Sequence, residues 1–221
     1  MVATPIGNAA DVTLRALDVL ARADALLAED TRRTRKLMDL HGIALGGRPM
    51  LSYNDRNAPG RRPQVTAWLE EGRSVAYCTD AGTPLVSDPG YRLVEAAVAG
   101  GHGVWAVPGA SALLAALVVA GLPTDRFLFA GFLPPKAGAR RAALAELGRV
   151  PATLVFYESA RRLAPSLGDM AEVLGGARPA AVARELTKRF EEVRRERLDR
   201  LAAAYAAEEP PKGEVVVLVG P

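Results

Sequence analysis

Short apolar runs alternate with amphipathic stretches through the first half of the chain, the pattern of βα units on a largely parallel sheet. Val2–Thr4 reads as a strand stub. Leu14, Leu17, Leu20 and Ala21 then recur at helical spacing, with Asp11 or Thr13 available as N-cap. Ala25–Ala28 is a buried strand with Glu29-Asp30-Thr31-Arg32 at its carboxyl end, followed by a helix that carries Leu37, Met38 and His41 and stops at Gly42. His41 falls on the buried side of that helix, where packing is its expected role. Pro49–Tyr53 is the third strand. Val65, Trp68 and Leu69 mark one helix face before the apolar strand Val75–Cys78, and Asp80-Ala81-Gly82-Thr83-Pro84 then forces a turn. Leu93, Val94, Ala97 and Val98 mark another helix, and Gly103–Val107 another strand. Pro108-Gly109-Ala110-Ser111 opens a nearly all-apolar helix, expected to be buried, that runs to Ala120.

Gly121-Leu122-Pro123-Thr124-Asp125 is short, turn-rich and at mid-chain, so the expected division is an N-terminal domain over 1–120, a linker over 121–125 and a C-terminal domain over 126–221. Strands at Arg126–Phe132, Thr153–Tyr157, Ala180–Arg184, Phe190–Glu196 and Glu214–Val219 surround helices near Ala139–Leu147, Arg161–Leu174 and Leu198–Ala207. Only five residues separate the third of these strands from the fourth, room for an antiparallel hairpin but not for a crossover helix. The second sheet is therefore expected to be mixed. Pro165 blurs the start of the middle helix, because proline is comfortable only in a first turn.

With 221 residues, 49% hydrophobic and 24% charged, the chain has globular composition and enough length to bury a core without staples. Its longest apolar run, Ala110–Leu122, falls short of the roughly 20 residues that cross a bilayer, and no charged-then-apolar leader opens the sequence. Cys78 stands alone, and His41 and His102 are the two histidines, so neither a disulfide nor a Cys/His zinc cage has its ligands. Metal-free chemistry in a reducing cytoplasm is the expectation. The net charge of +3 is unevenly spread: residues 30–62 hold eight basic side chains against Asp30, Asp39 and Asp55, and residues 126–162 hold seven against Glu146 and Glu158. Arginine supplies 24 of the 28 basic residues, and its fork suits phosphate, which permits a nucleic-acid face. A GC-rich coding bias with a solvated arginine face gives the same pattern.

Neither G-x-G-x-x-G after the first strand, nor G-x-x-x-x-G-K-[ST], nor G-x-S-x-G occurs. Polar, Gly and Pro clusters instead recur at the carboxyl ends of the expected parallel strands: Thr4-Pro5-Ile6-Gly7-Asn8, Glu29–Arg32, Asp80–Pro84 and Pro108–Ser111. That edge is where open α/β sheets bind ligands, and glycines such as Gly7, Gly82 and Gly109 let main chain approach a ligand closely. Any one cluster is also an ordinary tight turn; four together point to a site.

These segments resemble a known family. Val-Ala-Thr-Pro-Ile-Gly-Asn at 2–8, Ala-Glu-Asp-Thr-Arg at 28–32, Thr-Asp-Ala-Gly-Thr-Pro-Leu-Val-Ser-Asp-Pro-Gly-Tyr-Arg-Leu at 79–93, Gly-Leu-Pro-Thr-Asp-Arg-Phe at 121–127, Phe-Tyr-Glu-Ser at 156–159 and Ala-Arg-Glu-Leu-Thr-Lys at 183–188 are similar to the ribosomal RNA small-subunit methyltransferase I family, within the tetrapyrrole methylase superfamily. The resemblance implies a two-domain α/β fold with a mainly parallel N-terminal sheet, a mixed C-terminal sheet and the cofactor cleft between them. It implies S-adenosylmethionine as cofactor, a cytidine ribose 2′-oxygen in the 16S rRNA decoding centre as acceptor, and a homodimer. Residue by residue, it places the cofactor against Pro5, Ile6, Ala81, Gly82, Thr83, Val86, Ser111, Ala112, Tyr157, Glu158, Leu186 and Thr187. The chain departs from the family's pattern at Tyr53-Asn54-Asp55-Arg56-Asn57 and at Arg161, where relatives carry histidines, and it ends soon after Val219, where many relatives continue.

A ribose hydroxyl is a poor nucleophile, so an acceptor that orients it and takes its proton late is expected. Asp30, Glu158, Glu185 and, if desolvated, Lys188 are the candidates, although a salt bridge to Arg32, Arg161 or Arg184 is the favoured role of each carboxylate. Arg32, Arg33, Arg35, Arg56, Arg140 and Arg141 are assigned to RNA phosphates. Two other readings remain: methylation of a tetrapyrrole or similar metabolite, which predicts no salt-sensitive RNA affinity, and a non-catalytic RNA-binding module, which leaves the Gly/Pro loops unexplained.

Overall fold

The computed structural model describes residues 1–221. They form two compact units, Met1–Ser111 and Ala112–Pro221. The division precedes the Gly121–Asp125 turn expected from the sequence, because the apolar helix α5 (Ala112–Ala120) packs on the strands Pro179–Arg184 and Glu214–Val219 of the second unit.

The first unit is built on three parallel strands, β1 (Ala25–Ala28), β2 (Met50–Ser52) and β3 (Val75–Cys78), in the order β2-β1-β3. Single parallel bridges from Val2 to Cys78 and to Val107 extend the sheet. The expected strand Gly103–Val107 thus reduces to that pairing at Val107, and Trp105 points to solvent at 76% exposure. Alternation along β1 sends Leu26 to one core, with Leu20 and Met38, and Ala25 and Leu27 to another, with Tyr53, Trp68 and Tyr77. Helices α1 (Leu14–Arg22) and α2 (Thr31–Leu40) serve the first core; α3 (Ala58–Glu70) and α4 (Tyr91–Ala99) serve the second. Thr13 caps α1 by accepting from the Ala16 amide at 3.1 Å, and Gly42, at φ 68°, takes the left-handed turn that ends α2.

The second unit holds a five-stranded sheet in the order β4-β5-β8-β6-β7: β4 (Phe127–Phe132), β5 (Thr153–Ser159), β6 (Pro179–Arg184), β7 (Glu192–Arg197) and β8 (Glu214–Val219). Only β4 and β5 run parallel; β6 and β7 form the expected hairpin, so the sheet is mixed. Leu154, Phe156, Val182 and Val217 face a core closed by α6 (Ala137–Leu147), α7 (Leu163–Met170) and α8 (Leu198–Ala207). The single helix expected over Arg161–Leu174 is three pieces, a 3₁₀ turn at Ala160–Arg162, then α7, then a π turn at Ala171–Gly175; Pro165 lies in the first turn of α7, where its missing N–H costs nothing. Helix α5 is not wholly buried as expected: Ala116, Leu117 and Ala120 are, whereas Leu114 and Val118 are exposed. No helix is long and apolar enough to cross a membrane.

Candidate active site

In the first unit, three of the loops singled out by sequence are tied together. Thr4 and Gly82 exchange both backbone hydrogen bonds, at 2.9 and 3.0 Å, the Thr4 hydroxyl donates to the Thr79 carbonyl at 3.2 Å, and Thr83 Oγ1 donates to the Ala110 carbonyl at 3.0 Å. Gly82 sits at φ 83°, and a Cβ there would lie 3.4 Å from Ile6 Cγ2. At Gly109 a Cβ would stand 3.0 Å from that of Ala3. Leu85 at φ 71° and Ser87 at φ 58° are non-glycine residues held in the left-handed region, strain of a kind that clusters at ligand-binding loops. Ile6, Ala81, Gly82 and Thr83 are thus brought together, with Pro5 and Val86 on the same two loops and Ser111 next after Ala110. The buried hydroxyls of Thr4 and Thr79, which knit these loops, were legible in the sequence only as loop composition.

The loops that follow β1 and β3 are joined by their carboxylates: the Asp30 amide donates to Asp80 Oδ1 at 2.9 Å, and the Asp80 amide to Glu29 Oε2 at 3.4 Å. Asp30 is the N-cap of α2 and accepts from the Arg32 amide at 2.9 Å, while its two oxygens also hold the Arg32 guanidinium. Those hydrogen bonds, from the Arg32 side chain first, hold its carboxyl down to about 2, so Asp30 accepts a proton poorly near neutrality.

In the second unit, Tyr157 packs edge-on against Phe129 and Phe132 and accepts from the Leu113 amide at 3.2 Å, satisfying one of the otherwise unpaired donors of α5's first turn, which begins at Ala112. Glu158 is buried, and its carboxylate is fully engaged: Oε2 accepts from Ser166 Oγ at 2.6 Å, and Oε1 from the Ser159 amide and from Arg162 Nη2 at 2.7 Å. Its arginine is Arg162, one helical turn on, not the expected Arg161.

Glu185 and Lys188 neutralise one another. Lys188 Nζ lies 2.8 Å from Glu185 Oε1 and 2.7 Å from Glu214 Oε2, and Arg184 pairs with Glu192 at 3.0 Å, not with Glu185. The Lys188 hydrogen bond lowers the Glu185 carboxyl. Burial works against the Lys188 charge, but its two carboxylate partners outweigh it and raise the ammonium, the reverse of what a base needs. Glu185 at φ 50° and Thr187 at φ 65° bracket the buried Leu186 in a left-handed turn held by the Thr187 amide donating to Glu191 at 2.6 Å.

The six arginines expected to meet phosphate divide. Arg32, Arg33 and Arg35 are exposed along the start of α2, where cations oppose the helix dipole and Asp30, Asp80 and Asp39 balance them; Arg56 is exposed as well. Arg140 is the correction: it is 4% exposed and its Nε donates to Asp169 at 2.6 Å, so it is a buried ion-pair partner. Arg141, half-exposed, shares that carboxylate and also meets Glu172 at 3.2 Å.

The sequence profile of the tetrapyrrole (corrin/porphyrin) methylases matches residues 1–202. The chain is 58% identical over 221 residues to a protein of Mesorhizobium japonicum named ribosomal RNA small subunit methyltransferase I, covering all of this chain and 74% of the relative. A protein of the same name in Mycobacterium tuberculosis is 49% identical over 98% of this chain and 75% of its own length. Among solved structures, cobalt-precorrin-4 methyltransferase matches with a TM-score of 0.69 at 18% identity, over 99% of this chain and 92% of that one. Uroporphyrin-III C-methyltransferase of Thermus thermophilus gives 0.66 at 24% identity with the same coverage, so these two share the fold. The chain therefore belongs to the tetrapyrrole methylase family and, within it, to the ribosomal RNA small subunit methyltransferase I proteins.

Proposed function

We propose that the chain is an S-adenosylmethionine-dependent methyltransferase of 16S rRNA in the small ribosomal subunit, and that it modifies the ribose 2′-oxygen of a cytidine in the decoding centre. The observation that carries this reading is the tying of the Thr4–Asn8, Thr79–Ser87 and Pro108–Ser111 loops, in a chain 58% identical over its 221 residues to a protein named ribosomal RNA small subunit methyltransferase I. The residues suit such a cofactor. Ala81, Gly82, Gly109 and Ala110 keep bulk out of the loops: Gly82 holds a left-handed φ of 83° and a Cβ at Gly109 would stand 3.0 Å from that of Ala3, so recognition would run through main-chain groups.

When bound, S-adenosylmethionine supplies a methyl group already activated by its sulfonium. The protein is left to align acceptor and methyl in line and to exclude water. Glu158, Glu185 and Lys188 are tied up in ion pairs, and Asp30 is held at too low a pKa to draw a proton early. The hydroxyl proton therefore leaves late, and alignment carries most of the rate. Arg32, Arg33, Arg35, Arg56 and Arg141 would meet RNA phosphates and make binding fall steeply with salt. A homodimer acting in the cytoplasm completes the reading, and a monomer by light scattering at micromolar concentration removes the first of these.

The test is transfer of radiolabelled methyl to small subunits stripped of the modification, followed by nuclease digestion to nucleosides. Label in 2′-O-methylcytidine is expected. Label elsewhere in the RNA overturns the ribose assignment, and no label with adenosylmethionine still bound by calorimetry moves the reading to a small-metabolite methylase.

A further inference from the structure

Beside the loop that follows β3 lies a cavity of about 350 Å³ whose lining includes Tyr53, Asp55, Arg62, Asp88, Tyr91 and Arg92, none of them among the cofactor residues. Tyr53 is 1% exposed, yet its hydroxyl has no hydrogen-bond partner, and neither has the buried Nε of Arg62. Two buried polar groups left unmade at one cavity are costly, and they point to a ligand that completes them. Tyr91 stands at the same cavity with 62% of its surface exposed, and the Arg92 guanidinium lies 5.6 Å from its ring centroid. An exposed ring backed by a cation is a platform for a flat π-system.

We propose that this cavity is a nucleobase pocket that takes an amino-bearing pyrimidine, with the base stacked on Tyr91, its O2 and N3 facing the Tyr53 and Arg62 donors, and its exocyclic amine donating to the Asp88 or Asp55 carboxylate. This rests on the methyltransferase reading above only in identifying the occupant as the target cytidine. Cytosine presents two acceptors and an amine along one edge, which matches two orphaned donors beside carboxylates. Uracil would turn O4 against carboxylate lone pairs. The carboxylates also keep a phosphate out of the floor and leave it to the arginines. Burial, with Glu29 and Asp80 nearby, pushes the Asp88 carboxyl up to about 6, as expected of a half-buried acid among other carboxylates to which an amine could donate. Gly90, at φ 122° with a would-be Cβ 3.0 Å from Tyr77 Cε1, turns the chain between Asp88 and Tyr91.

The experiment titrates cytidine and uridine 5′-monophosphates into the wild-type chain, Tyr91→Ala and Asp88→Asn, following saturation transfer to the base protons, with adenosylmethionine affinity and methyl transfer to small subunits measured on the same preparations. Cytidine monophosphate is expected to bind at least about tenfold more tightly than uridine monophosphate. Tyr91→Ala should abolish base saturation, and Asp88→Asn should erase the preference, with adenosylmethionine affinity unchanged in both. No saturation in the wild-type chain, equal affinity for the two nucleotides, or variants that bind as the wild type does overturns the pocket. If these occur while methyl is still transferred, the pocket is wrong and the enzyme reading stands; selective cytidine binding without transfer keeps the pocket and removes the enzyme reading.

Discussion

The Asp169 carboxylate on α7 accepts from Arg140 Nε at 2.6 Å and from Arg141 Nε at 2.7 Å, so one acid joins a buried arginine and a half-exposed one on α6. Burial pushes the Asp169 carboxyl up, but hydrogen bonds from Arg141 and Arg140 outweigh it and hold it below its ordinary value. Asp169→Ala strands the Arg140 charge and is expected to cost about 3–5 kcal/mol in urea unfolding. Arg140→Met should cost less, because Asp169 keeps Arg141. The salt dependence of RNA binding should be unchanged in Arg140→Met and reduced in Arg56→Ala; a reduced slope for Arg140→Met would return that residue to the phosphate surface.

Both carboxylate oxygens of Glu158 are engaged, by Ser166, Ser159 and Arg162. Glu158→Gln is expected to lower unfolding stability by about 2–3 kcal/mol while kcat per folded molecule stays within about threefold. A loss of kcat of about 100-fold at unchanged stability would instead make it the proton acceptor.

Gly82 and Gly101 both take left-handed backbone, at φ 83° and 75°, but only Gly82 has neighbours where a Cβ would sit. Alanine at either should cost about 1–2 kcal/mol of stability through backbone strain. Only Gly82→Ala should also weaken adenosylmethionine, by about tenfold in calorimetry if about 1.4 kcal/mol of binding is lost. Equal adenosylmethionine affinity for both variants would remove the 79–87 loop from the cofactor site.

The raised Asp88 carboxyl gives a pH signature. With a folded pKa of about 6 against an unfolded 3.8, the native state holds a proton that the unfolded chain releases, so stability falls as pH rises through that window. Glu29 and Asp80 deepen the effect, while Asp55, Arg62, Arg92, Tyr53 and Tyr91 line the same recess. Asp88→Asn should raise Tm relative to the wild type near pH ~7.5 and make no difference below pH ~3.5. Loss of nucleotide selectivity in the same variant would be a stability–function trade-off. A Tm difference that does not vary with pH would show that Asp88 is not the titrating group.

Local pattern carried most of the fold. Leu14–Arg22, Ala25–Ala28, Val75–Cys78, Leu198–Ala207 and the β6–β7 hairpin all follow from periodicity, caps and connection length. The pattern was less secure where an element's partner decides its state. Gly103–Val107 has extended sequence but bridges Val2 at a single residue, and α5 is apolar all round yet leaves Leu114 and Val118 in solvent. The site divides the same way: the Gly82 loop was visible as composition, whereas the hydrogen bonds that join it to Thr4 and Ala110 cross most of the first unit.

Most of the element order, the parallel first sheet and mixed second one, and the loops that meet at the sheet edge are written in short-range spacing and turn chemistry. Which charges are free depends on the folded arrangement. Arg140 and Arg141 are neighbours of identical type, yet Asp169, far along the chain, buries one and leaves the other half exposed. Likewise the fold brings the partnerless Tyr53 hydroxyl to the same recess as Arg62 and Asp88. Coulomb energy and desolvation depend on distances that folding sets across the chain, and no local pattern encodes them.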